Sequence, residues 1–476
     1  MVRIREWFSK LISFGGMGTN GVALINLLLA IVAFGKDLMQ ATYFGTSPSA
    51  DALTLAFFIP DTVGNNLLAS AIGVACVPMF CKLLVQRETK RLQLLFIRVT
   101  VYTFLFSGGC FLLFYLFQNP LLHWLGQGFT PEVYSQCKHL LMILLPTMVL
   151  FPLWMIGSAA LQAKGMYVRS AFTPVVFNSI YLGAIACLFV QHVSPDRGAI
   201  VVAVGIFIGV CSMVMLVWLG LHRKGDDQVR WYRYDKNIWQ LAFCIQDDFI
   251  RVLRTFVPYL MILLSTQLVL AVERNIASKM ESGTIAGLNY AFRLAQFPNW
   301  VFVAALTTVL LPSISKAVGE NNLKLASAAM NSAVKMTLII TVPVTVIFFL
   351  GRIPLISLLF QHGSFDQHSV QITSNILAGY SLAIVSQALS AVGMRYFMAV
   401  ERMIAPTIIS FIALLVNVVC DQLLTFHIGA AGLGYGAACG ALVNASGIML
   451  FAYRDLRKYM KVGAEYEPLP NRHSFF

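Results

Sequence analysis

The fold class predicted from the sequence is an all-α polytopic membrane protein, and three observations predict it. Of the 476 residues, 58% are hydrophobic and only 12% are charged, whereas soluble domains carry about a quarter charged residues. The apolar residues form continuous runs, and about 20 such residues suffice for one membrane-crossing helix. An outer-membrane barrel would instead alternate polar and apolar positions over segments of about ten residues; no such pattern occurs. The third observation is the placement of Lys and Arg along the chain.

Apolar runs between polar punctuation give twelve spans. They lie near 20–44, 52–81, 92–118, 138–162, 170–190, 198–221, 254–279, 284–316, 325–350, 369–398, 405–427 and 432–453. Several exceed the hydrocarbon thickness and must tilt or extend beyond it. Assigning the loops to alternating sides places 24 Lys and Arg between Arg3 and Lys461 on one side, against Lys138, Arg197, Lys279 and Arg352 on the other. The positive-inside rule then puts both termini in the cytoplasm. A miscounted span would scramble this alternation. The net charge of +13 is therefore that of cytoplasmic loops and does not point to nucleic acid.

The domain organisation follows from the same reading. Residues 1–19 form an N-terminal amphipathic segment with Arg3, Arg5 and Lys10, without the cleavage pattern of a signal peptide. Residues 20–222 carry the first six spans and 250–455 the second six, with a cytoplasmic tail at 456–476. Between the halves, the linker 223–249 contains Trp231, Tyr232, Tyr234 and Trp239, residue types that favour the interface on an amphipathic helix. The halves share faint similarity: Asn65, Ala71, Pro78 and Lys82 have the spacing of Asn299, Ala305, Pro312 and Lys316. Parallel repeats suit a transporter whose path runs between two lobes.

Ionisable groups inside spans are costly and usually face a cavity or a partner. Lys36 and Arg293 come from different halves and could both offer cationic donors to an anionic group such as a diphosphate. For Lys36 the alternative is a local pair with Asp37 or a head group that snorkels to the interface. Arg274 beside Glu273 is either a second cavity cation or half of a local charge pair. Asn417 and Asp421 are four residues apart and share a helix face. With Glu273 they would line an oxygen-rich pocket for Na+, or exchange H+; the alternative is an interhelical hydrogen bond. Asp51 reads as an exposed helix cap. Asp61, after Pro60, reads as a residue at a kink beside the cavity.

No enzymatic constellation is present. The eight histidines lack ligand spacing, and neither a Walker loop nor a GxSxG motif occurs. The nine cysteines contain no CxxC pair, so neither a zinc site nor a disulfide framework is indicated. No cofactor is implied, and uphill transport would draw on an ion gradient, the membrane potential or product removal.

Three stretches resemble the MurJ/MviN-type lipid II flippases of the multidrug/oligosaccharidyl-lipid/polysaccharide exporter superfamily. They are GKDLMQATYFGTSPSADALTLAFFIPD at 35–61, VERNIASKMESGTIAGLNYAFRLAQFPNWVFVAALTTVLLPSISK at 272–316 and LLFQHGSFD at 358–366. The resemblance implies two six-helix lobes forming a V around a central cavity. They would admit a lipid-linked disaccharide-peptide from the inner leaflet and release it outside by alternating access. It places the family's cavity cations on Lys36 and Arg293, and its sodium site on Glu273, Asn417 and Asp421. Asn65 would help line the cavity. The implied partners are a polyprenyl-diphosphate-linked saccharide, with lipid II foremost, membrane lipids, and cell-wall synthesis proteins. The sequence departs from the family where Gly64-Asn65 replaces a basic pair, where Phe292 replaces an acidic residue, and in ending soon after the twelfth span. Two other readings stand beside this one: a flippase for another lipid-linked glycan, and a cation-coupled multidrug antiporter of the same superfamily. A membrane scaffold with an inactive cavity is a third.

Overall fold

The computed structural model describes residues 17–191, 193–222, 247–299, 310, 314, 323–400 and 402–462. The N-terminal segment before 17, most of the 223–249 linker, much of the eighth span after 299 and the tail from 463 lie outside the described residues. Among the described residues there is no strand, and eleven helices are long and apolar enough to cross a membrane. They correspond to eleven of the twelve expected runs; the eighth is described only as far as 299, with Leu310 and Ile314. Large side chains such as Leu24, Phe104, Phe106, Ile347, Leu415 and Phe426 are exposed. Water-soluble monomers rarely expose apolar patches so extensively, whereas lipid-facing helices must.

The chain divides into two compact units, Met1–Ala286 with His362–Asp366, and Gly287–Gln361 with Gln367–Phe476. In the first, α1 (Met17–Phe44) is followed by α2 (Pro48–Pro60). Ser47 caps α2 by accepting from the Ala50 amide, and Pro48 fills its first turn, the position where a missing N–H costs nothing. At Pro60 the helix widens into a π-helical segment, Asp61–Ala69, before α3 (Ser70–Val85). Proline removes a helical donor, and π-helical turns are frequent at functional sites.

The first unit continues through α4 (Thr89–Leu116), the short α5 (Gln118–Leu125), α6 (Pro131–Leu144), α7 (Thr147–Ala163), α8 (Tyr167–Gln191) and α9 (Pro195–His222). The single run expected at 138–162 is thus two helices broken at Leu145–Pro146. α10 (Asp247–Ser278) packs on α3 within this unit. Its first turns bring Phe249 and Val252 into a core with Phe80, Phe96, Trp154 and Val217. Tyr102 stacks on Phe249 at 4.9 Å, and Arg91 grips both carboxylate oxygens of Asp248 at 2.8 Å. Such fork geometry fixes orientation as well as charge.

The second unit contains most of α11 (Thr284–Pro298), then α12 (Leu323–Leu350), α13 (Arg352–Phe360), α14 (Gln367–Ala399), α15 (Ile404–Ile428) and α16 (Ala431–Val462). α16 packs on both α14 and α15. Glycine makes this possible: a Cβ on Gly379 would lie 2.1 Å from the Gly434 backbone. Membrane helices lack a hydrophobic drive to associate and gain instead from such close approach.

Candidate functional site

In the first unit, the last turns of α1 carry Lys36 and Asp37, both almost fully buried. The Lys36 ammonium lies 2.8 Å from the Asp37 carboxylate and 4.6 Å from the centre of the Tyr181 ring. The Tyr181 hydroxyl donates to Gln40 at 2.8 Å, one helical turn beyond Lys36. Lys36 therefore has a carboxylate and an aromatic face as partners, the local pairing that its neighbour in sequence made available. An ammonium on an aromatic face gains up to about 2 kcal/mol when desolvated.

The π-helical segment supplies a second polar group. Asn65 donates to one oxygen of Asp61 at 3.0 Å and Asn66 to the other at 3.1 Å. The wider turn brings residues four and five positions on to the same carboxylate. Gly64 has a packing reason: a Cβ there would meet the Met148 backbone at 2.8 Å.

Near the C-terminal end of α10, Glu273 and Arg274 are both buried. The Arg274 guanidinium lies 3.8 Å from the Phe58 ring centre and donates to the Leu270 carbonyl at 3.0 Å. Beyond α10 the chain meets Asp51, which the sequence suggested as an exposed cap. The structure corrects this. Asp51 is 4% exposed, and its carboxylate accepts from the Gly283 amide at 2.6 Å and the Ala286 amide at 2.8 Å. The cap of α2 is Ser47. In the same unit the Ser364 amide donates to the Thr42 carbonyl at 2.8 Å. Gly283, with φ of +91°, would place a Cβ 2.1 Å from the Thr46 carbonyl oxygen, so only glycine fits.

In the second unit, Arg293 is half-buried on α11. One turn later, Gln296 donates to Gln387 at 2.9 Å, and Asn299 donates to the same oxygen at 2.9 Å. Sequence reading noticed Asn299 only as a repeat match, and it missed Gln296 and Gln387. Their signal was three amides in apolar spans, each needing a partner. Phe292 meets Tyr380 edge-on at 5.7 Å.

Asn417 and Asp421 are brought together on α15. The Asn417 amide lies against both Asp421 oxygens; oriented with its nitrogen toward them, it donates at 2.7 and 3.2 Å. Asp421 is fully buried, and the space for it comes from α16: a Cβ on Gly436 would fall 2.0 Å from its Oδ1. Glu273, the third residue of the expected cation site, belongs to the other unit. Among the described residues no group of three or more His, Cys, Asp or Glu side chains could hold a metal ion.

Buried cations and amides in proline-interrupted apolar helices define a class, that of polytopic membrane transporters. The fold agrees. A solved structure titled "Lipid II flippase MurJ, inward closed conformation" matches with a TM-score of 0.76 at 21% identity, over 94% of this chain and 93% of that one. An inward-facing multidrug resistance MATE transporter of the MOP superfamily matches with a TM-score of 0.78 at 15% identity, over 91% of this chain and 95% of that one. Sequence separates the two. The family profile "Lipid II flippase MurJ" matches residues 40–467. Among curated relatives, the lipid II flippase MurJ of Burkholderia cenocepacia is 27% identical over 96% of this chain and 85% of its own length. The probable lipid II flippase MurJ of Treponema pallidum is 24% identical over 91% and 81%. The chain belongs to the MurJ family of lipid II flippases, and is a multi-pass membrane transporter, not an enzyme.

Proposed function

We propose that the protein translocates a polyprenyl-diphosphate-linked saccharide, lipid II before any other, across the bacterial cytoplasmic membrane. The observation that carries this reading is the family match across residues 40–467. Its proposed route is a V of two lobes, the first six spans and the last six, alternating access to a central cavity. Both termini face the cytoplasm in this scheme.

Lys36, Arg293, Asn65, Asp37 and Arg274 are the proposed substrate-binding residues, with Lys36 and Arg293 as the contacts for the diphosphate. In the structure Lys36 holds Asp37 at 2.8 Å. Binding would then be an exchange, in which a more highly charged diphosphate displaces one carboxylate. Exchange suits transport, because the cation is compensated before and after cargo passes. A buried cation left alone would cost several kcal/mol, about 3–5.

Coupling to Na+ or H+ is proposed at Glu273, Asn417 and Asp421. With its nitrogen turned to Asp421 the Asn417 amide would hold the carboxylate by hydrogen bonds, whereas with a bound Na+ its oxygen would face inward. Protonation of Asp421 would not require the latter orientation.

Reconstitution in vesicles with labelled lipid II, and separately with an unrelated polyprenyl-diphosphate sugar, tests the proposal. Translocation of lipid II and not of the other sugar is the expected result. Transport of neither, combined with cation-driven efflux of organic cations, would favour the drug-antiporter reading, which the similarity to MATE transporters keeps in view.

A further inference from the structure

Outside the cavity residues, the first unit has a pocket of about 830 Å³ between the start of α2, α6 and α9. Its wall changes character along the helices. Glu132, His139, Asp196 and Arg197 line one part, and Met142 and Ile200 line another. We propose that this pocket binds a zwitterionic phospholipid, one whose head group carries both an amine and a phosphate, from the outer leaflet.

Depth supports a lipid. α9, Pro195–His222, has 28 residues, about 42 Å as a helix, and the broken pair α6–α7 covers 33 residues, Pro131–Ala163, up to about 50 Å. Both exceed the hydrocarbon thickness of about 30 Å. Their first turns, with Glu132 and Arg197, therefore stand at head-group level on the outer side. Met142 lies three turns further along α6, and both Met142 and Ile200 are exposed. The pocket thus spans the boundary a phospholipid itself spans.

Charge selects the head group. Arg197 is exposed and has no carboxylate partner among the described residues. The His139 ring touches the Ser135 carbonyl through Nδ1 at 3.1 Å, which leaves Nε2 for a ligand. These two groups suit a phosphate. The acids have work of their own: Asp196 accepts from Ser49 at 2.5 Å, and Glu132 accepts from Thr130 at the start of α6. Each still has a second oxygen. Two carboxylates beside one guanidinium disfavour a purely anionic head group and suit an ammonium paired with a phosphate.

The test uses the full chain, delipidated in mild detergent and titrated with phosphatidylethanolamine or phosphatidylglycerol of identical acyl chains, with bound lipid counted by native mass spectrometry. The wild-type protein is expected to hold one phosphatidylethanolamine more tightly than phosphatidylglycerol. Arg197→Ala should weaken both lipids about tenfold, the loss of one charge-assisted hydrogen bond. Glu132→Gln should remove the preference between them. Both side chains are exposed, and unchanged helical content and elution volume confirm folding. Equal binding of the two lipids by the wild type, or unaltered binding by Arg197→Ala, overturns the proposal. So does displacement by soluble phosphoethanolamine at the concentration of the lipid, because the acyl chains would then contribute nothing.

Discussion

Asp51→Ala removes the acceptor of two buried amides and changes nothing else in the segment that follows α10. The Gly283 and Ala286 amides donate to Asp51 at 2.6 and 2.8 Å. Without it each becomes a buried donor lacking an acceptor, at about 1–3 kcal/mol apiece. Even the lower bound, about 2 kcal/mol together, favours opening of this segment by roughly thirtyfold. Hydrogen exchange measures that opening directly, because protected amides exchange through local unfolding. Amides at Gly283 and Ala286 in Asp51→Ala are expected to exchange about thirty times faster than in the wild type, or more. Asp51→Asn, which keeps one acceptor oxygen, should fall between the two. Amides of α14, in the other unit, should not change and serve as the internal reference. If Gly283 and Ala286 exchange at the wild-type rate in Asp51→Ala, the carboxylate does not hold the segment, and the reasoning fails.

Other perturbations test other parts of the account. Gly436→Ala would drive a methyl group to 2.0 Å from the Asp421 carboxylate; overpacking of this kind costs about 1–3 kcal/mol, and a lowered melting temperature in detergent would register it. Tyr181→Phe keeps the ring over Lys36 and loses the bond to Gln40, so stability should fall by about 1 kcal/mol with translocation retained. Tyr181→Ala removes the aromatic face as well and should reduce translocation in the vesicle assay. Arg293→Ala should abolish complementation of a flippase-depleted strain while membrane insertion, followed by immunoblot of the membrane fraction, stays normal.

Much of this molecule can be read from residue order alone, because lipid leaves backbone polar groups no partner except the helix itself. Apolar runs therefore coincide with helices, and eleven spans match runs recognised by hydropathy. What escapes is local geometry. Pro60 signals a bend, yet nothing in DTVGNNLLA announces that the bend is a nine-residue π-helical segment or that Asn65 and Asn66 both reach Asp61. The break between α6 and α7 is equally hidden, since Pro146 sits in an uninterrupted apolar run.

The candidate residues divide the same way. The Lys36–Asp37 pair joins neighbours in sequence and was available as an alternative from the start; Asn417 and Asp421 were expected to share a helix face, but the alternative considered for them was a bond to another helix, not to each other. Asp51 was misjudged because its partners lie more than 230 residues away. Its place at the start of the second span suggested a capping role that Ser47 already fills. Gln296 and Gln387 were overlooked for a related reason: an isolated amide in a span carries no local sign of the partner it will find.

The central claim is that Lys36 and Arg293 recognise a diphosphate, and head-group discrimination tests it most directly. Purified protein would be titrated with a polyprenyl-diphosphate disaccharide and with the matching monophosphate. The wild type should favour the diphosphate, and Lys36→Ala and Arg293→Ala should each lose that preference while retaining monophosphate binding. An undiminished diphosphate preference in both variants would contradict it.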